Sequence, residues 1–160
     1  MVWAKNGTPH TLGSSADELS ISDLTARKFN VFLSHLLGTG AVDIDANFND
    51  NGNAVYAQRS SSDGGADATA TSGTYLDKGT SGTTIFDVLY GCSISAEEKL
   101  VIGFLVNQST AGAGTAPSRI EYVAKFVPSP DATITRIDDD NTGTTNAYNT
   151  NSNLSAIGTD

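Results

Sequence analysis

Cysteine is almost missing from this 160-residue chain. Cys92 stands alone, which excludes an internal disulfide and any metal knuckle built from thiolates. A single free cysteine is expected to be a buried structural thiol. Histidine is nearly as scarce, with His10 in a polar stretch and His35 in an apolar one, and no G-x-S-x-G elbow marks an activated serine. Beyond Glu18 the only glutamates are Glu97, Glu98 and Glu121, and no pair is singled out for glycoside hydrolysis. Positive charge is short as well: 9 basic against 18 acidic residues give a formal charge of -9. Such a field repels phosphate polymers and anionic membranes, so neither nucleic acid nor membrane insertion is expected. There is no apolar run of about 18 residues to cross a bilayer as a helix. The opening "MVWAKNGTPHTLGSS" lacks the apolar segment of a signal peptide, which points to synthesis and folding in a cytoplasm.

What is present is glycine, serine, threonine and asparagine between short alternating apolar runs, the pattern of many strands joined by turns. "AVDIDANF" places Val42, Ile44, Ala46 and Phe48 inward and Asp43, Asp45 and Asn47 outward, as in a half-buried strand. "NDNGN" follows, with Asn51-Gly52 the strongest hairpin signal in the chain, and "AVYAQRS" is expected to return as the partner strand. "TTIFDVLYG", "KLVIGFLV", "RIEYVAKFV", "ATITRID" and a closing "NLSAIGTD" supply further strands. Residues 25–37 fit two readings. Phe29, Phe32, Leu33, Leu36 and Leu37 have helical spacing, and the same run also fits a strand buried on both faces. Residues 1–18 are polar and read as an arm, mobile or docked on a neighbouring subunit. Trp3, an aromatic in that polar setting, is the candidate assembly contact.

"TAGAGTAPSR" spaces Gly112 and Gly114 like a dinucleotide-binding turn. The third glycine position is Pro117, and a strand pattern follows where a helix is required, so it is read as a connecting loop. The acidic clusters are the remaining candidates. Asp63 and Asp67, Asn107, and Asp138, Asp139 and Asp140 are hard oxygen donors expected on loops, where calcium or a ligand could meet them. None completes a ligand set, so no metal and no cofactor is expected, and solvated polar loops are the reading adopted.

The order "GNAVYAQRSS", "EEKLVIGF", "TAGAGTAPSRIEYVAKFV", "ATITRIDDDN", "SNLSAIGTD" resembles the jelly-roll, galectin-like or concanavalin-like β-sandwich modules of tailed-phage and other viral virion proteins, over roughly residues 19–160. The resemblance implies an all-β antiparallel jelly-roll sandwich of about eight strands, with residues 19–160 as one domain behind the 1–18 arm. It makes residues 25–37 an early sheet strand. It implies a virion structural protein that assembles with copies of itself and with other virion proteins. Such a protein would sit on the virion surface after assembly in the host cytoplasm. The alternative is a glycan-binding, receptor-recognising module. A carbohydrate-active enzyme comes third, and no catalytic residue is assigned.

Overall fold

The computed structural model describes residues 2–39, 42–81, 84–94, 96–108, 110–130, 132–143 and 145–160. Among them there is no helix, and thirteen strands pair antiparallel throughout. In chain order they are β1 (Ala4–Lys5), β2 (His10–Thr11), β3 (Glu18–Ile21), β4 (Phe29–Leu37), β5 (Val42–Phe48), β6 (Tyr56–Ser62), β7 (Ala68–Gly73), β8 (Leu76–Ser81), β9 (Thr84–Cys92), β10 (Lys99–Gln108), β11 (Ser118–Phe126), β12 (Ile137–Asn141) and β13 (Asn153–Thr159). The large sheet runs β1-β13-β4-β9-β10-β11-β6-β7, with β2 also on β13, and the small sheet runs β3-β12-β5-β8.

The period-2 pattern of β10 shows how the sequence builds this. Lys99, Val101, Gly103 and Leu105 are buried, and Leu100, Ile102, Phe104 and Val106 alternate with them on the outside. Leu19, Ile44, Phe48 and Ile137 from the small sheet meet Phe32, Leu89, Leu105 and Phe126 from the large one in a single core. Its aromatic centre stacks Tyr56 on Phe126 at 5.0 Å and tilts Phe48 against Phe126 at 5.6 Å. Burying each such side chain favours folding by roughly 1.5–3 kcal/mol.

The Asn51-Gly52 hairpin does not form. β5 pairs with β12 and β8, and β6 pairs with β11 and β7, so the chain crosses between sheets at this point. The left-handed residues of the crossing are Asn49 (φ 61°) and Asp50 (φ 52°). Two side-chain contacts hold it: the Asn47 amide oxygen accepts from Asn51 N–H at 2.8 Å, and the Tyr56 hydroxyl accepts from Phe48 N–H at 2.7 Å. A turn motif specifies a bend and leaves strand pairing to burial, and here Phe48 and Tyr56 are buried from opposite sheets.

Residues 29–37 are a strand, β4, between β13 and β9. The loop reading agrees with the structure over residues 110–117, which lie between β10 and β11 with Gly112 at φ +97°, and Ser118 and Arg119 already belong to β11. The terminal run is ordered as β13, paired to β4 along its whole length. The polar segment read as an arm lies on its own chain. β1 and β2 pair with β13, Leu12 is buried, and the Asn6 side chain donates to Asn30 at 2.9 Å and to the Thr25 carbonyl at 3.1 Å.

Candidate functional site

Two features depart from the usual rule of dry core and wet surface: the outer face of the large sheet, and a charged cluster between the sheets.

The outer face follows from strand register. Across one row, Ile157, Val31, Tyr90, Ile102 and Val123 are successive cross-strand partners on β13, β4, β9, β10 and β11. The next row is Leu33, Val88 and Phe104, and beside it stand Phe86 and Val106. The solvent side of this sheet is therefore apolar over the middle of β4, β9 and β10 and extends to Val123 on β11 and Ile157 on β13 in one row, where an antiparallel sheet facing water would alternate to polar residues. Trp3, Phe86, Tyr90, Leu100, Ile102, Phe104, Val106, Val123 and Ile157 are 36–59% exposed. Large apolar side chains exposed side by side on one face mark an interaction surface. Trp3, the candidate assembly contact, lies beside this face, lining a groove with Phe29, Tyr90, Cys92, Leu100 and Ile102. Cys92 is half-buried on that groove, not sealed in the core. Arg59, Arg119, Glu121 and Lys125 form a charged margin on β6 and β11.

The opposite outer face, on the small sheet, is acidic. Glu18, Asp140, Asp45 and Asp77 are successive cross-strand partners across all four of its strands, an arrangement of like charges that opposes folding. Asp45 is 3% exposed, and its carboxylate accepts from the Thr142 hydroxyl at 2.7 Å. Burial, reinforced by Asp77 and Asp43, pushes its pKa up to about 6. Burial together with Asp138, Glu18, Asp139 and Asp45 pushes Asp140 to about 7. Asp45 was expected on a wet strand face, and it is buried because the segment after β12 covers it.

These shifts set a pH dependence. Both folded-state values lie above that of an unfolded aspartate, so the native state holds more protons between about pH 4 and 7, and stability falls as pH rises through that window. Asp17, Asp23 and Asp160 lie the other way, lowered chiefly by hydrogen bonds from Asn146, Thr8 and Arg27 respectively. Their contribution is lost only on acidification below the usual aspartate range. The melting temperature is therefore expected to be higher at pH 5 than at pH 8, by roughly 5–10 °C for a few kcal/mol of linkage. Thermal melts across that range check it, and a lower melting temperature at pH 5 would contradict it.

Asp138, Asp139 and Asp140 are not on a loop: they form the middle of β12, between β3 and β5. Asp138 meets Arg136 Nε at 2.7 Å on the outer side, and Asp139 points inward and is wholly buried. Asp63 sits at the β6–β7 turn with φ 51° and accepts from Arg119 N–H at 2.8 Å; Asp67 pairs with Arg59 at 2.9 Å; Asn107 lies within β10, opposite Ser118 and Ile85. The candidate ligand residues are thus dispersed over three places. Among the described residues no group of three or more His, Cys, Asp or Glu is arranged to hold a metal.

Between the sheets lies a cluster that sequence reasoning missed. Lys78 Nζ on β8 donates to Asp139 Oδ1 at 2.5 Å and to Asp87 Oδ2 on β9 at 2.7 Å, and all three side chains are at most 1% exposed. The Tyr122 hydroxyl donates to Asp87 Oδ1 at 2.7 Å, and the Ser34 hydroxyl donates to Asp139 Oδ2. Burial works to lower the Lys78 pKa, but Asp139 and Asp87 outweigh it and raise it; burial raises that of Asp87. Tyr122 reaches Asp87 because its ring lies across Gly103, where a Cβ would come within 1.9 Å of the ring. "LDKGTS" carries no periodic signal that could have announced Lys78.

The chain matches no protein-family model and no curated protein.

Proposed function

We propose that this chain is a virion structural protein, a jelly-roll β-sandwich displayed on the surface of a phage-like particle as a capsid decoration or tail-appendage subunit. Its role is structural, not catalytic. Copies pack through the outer face of the large sheet, with Trp3 at the border of the contact, and the acidic small-sheet face is turned to solvent or to other virion proteins. The observation that carries this reading is the apolar outer face centred on β9 and β10, where large side chains stand more than a third exposed side by side. A second copy is the fitting occupant, because self-association covers this face on both partners and leaves the repelling acidic faces apart.

Sedimentation velocity of the purified chain, combined with mass spectrometry of sedimented particles from the source that carries its gene, tests the proposal. A discrete oligomer in solution and stoichiometric recovery in particles are the expected results. A monomer at tens of micromolar would overturn the assembly face, and absence from particles would overturn the virion role. Retention of the chain on a glycan array, with no self-association, would favour the receptor-binding alternative instead.

A further inference from the structure

The Lys78 cluster serves no surface role, and its geometry suits a reaction. A primary amine lies 2.5 Å from one carboxyl oxygen and 2.7 Å from another in a site closed to solvent. We propose that Lys78 and Asp139 become joined by an intramolecular isopeptide bond, with Asp87 as the proton carrier.

Local structure aims each group. In the β5–β8 ladder Asp45 pairs with Asp77 and Ile44 with Gly79, so Lys78 is the extra residue of a β-bulge, a device that redirects a side chain. Gly79 adopts φ +94° there, and the lysine turns inward under the sheet. Asp139 sits two strands away, across β5, where its ladder partner is the small Ala46. Ser34 holds Asp139 Oδ2, which leaves Oδ1 toward the amine. Tyr122 holds Asp87 Oδ1, which leaves Oδ2 on the same nitrogen. The amine is thereby held against the carboxyl group it would attack, replacing a bimolecular encounter with a fixed one.

The chemistry balances within the cluster. With one proton on Asp87, the resting site holds a Lys78 ammonium, an Asp139 carboxylate and a neutral Asp87 acid. Transfer of a proton along the Nζ–Oδ1 contact gives a neutral amine and a neutral acid, with no change in net charge in a medium that penalises separated ions. Nζ attacks Asp139 Cγ, forming the N–C bond. Asp87 accepts a proton from the nitrogen and returns one to the departing hydroxyl. The C–O bond breaks, one water leaves, and Asp87 ends as the acid it began as. No oxidant or cofactor takes part.

The product ties edge strand β8 to β12 by a covalent bond that needs no cysteine. It constrains the unfolded chain as a disulfide would. The inference stands independently of the virion reading.

The test is the intact mass of the purified full-length protein under denaturing conditions, followed by peptide mapping. The expected result is a chain lighter than its sequence by one water, with a branched peptide joining Lys78 to Asp139. Lys78→Arg, Asp139→Ala and Asp87→Asn should each return the full sequence mass. The wild-type measurement decides the matter even where a variant fails to fold. A wild-type mass equal to the sequence overturns the proposal. So does a lost water that maps to a linear peptide, as a succinimide at Asp63-Gly64 would, or a branch ending on Asp87.

Discussion

Replacing Ile102 and Phe104 together by lysine is expected to convert the self-associated protein to a monomer while leaving its fold intact. Both side chains are 51% exposed and alternate along β10 with the buried Val101, Gly103 and Leu105, so neither supports the core. Lysine at a solvent-facing strand position costs the fold at most about 1 kcal/mol in propensity. In the association it costs far more. The two positions lie on β10, next to the central strand β9 of the apolar face, beside Tyr90 and Val123 in one row and Val88 in the other. Central anchors of an interface each contribute about 2 kcal/mol or more, so removing two and introducing unpaired cations weakens dimerisation by roughly 10³-fold or more. Sedimentation velocity reads the mass, and circular dichroism with a thermal melt reads the fold. A marginal control, Glu121→Ala, should change little because that carboxylate is half-exposed and salt-bridged at the rim. An unchanged sedimentation coefficient for the double variant would remove the large sheet's outer face as the assembly surface.

The same two-sided burial explains what the sequence could and could not disclose. Strands with one dry face, such as β10 and β11, announce themselves by alternation. β4 does not, because Phe29, Val31 and Leu33 look outward onto an apolar face while Asn30 and Ser34, both 1% exposed, look inward. Its pattern therefore fits a helix as readily as a strand. The β5–β6 pairing failed for a different reason: Asn51-Gly52 is local information, and strand partnership was decided by the aromatic contacts of Phe48, Tyr56 and Phe126. "DDDN" resembled a loop because three carboxylates in a row rarely tolerate a sheet. It forms one because Arg136 meets Asp138 and because Asp139 finds Lys78, 61 residues earlier in the chain. Trp3 was legible as an aromatic out of place, and it borders the apolar face. Lys78 was not legible at all, since a single lysine in a polar strand is indistinguishable from a surface residue until the fold buries it.

That burial makes Lys78→Met the substitution with the largest expected effect on stability. The methionine fits the volume, but the Asp139 carboxylate would then lie beside Asp87 with no cation and no water. Removing one partner from a buried ion pair costs about 3–5 kcal/mol, a large share of the roughly 5–15 kcal/mol that holds a typical domain together. Asp139→Leu should cost less, because Asp87 can give up its proton and pair as a carboxylate with Lys78 at 2.7 Å, so that the interior remains neutral and the Ser34 hydroxyl is left without its acceptor. The double variant Lys78→Met/Asp139→Leu should lose less than the two single losses added together. It leaves Asp87 alone with the Tyr122 hydroxyl, and burial favours the protonated form of that acid. Guanidinium chloride midpoints of the three variants measure this. None of the three can form a bond between Lys78 and Asp139, so the gap between Lys78→Met and Asp139→Leu reports uncompensated charge and not the loss of a crosslink. Equal midpoints for those two single variants would mean that the cluster is hydrated and that its carboxylates do not depend on Lys78 for their charge balance.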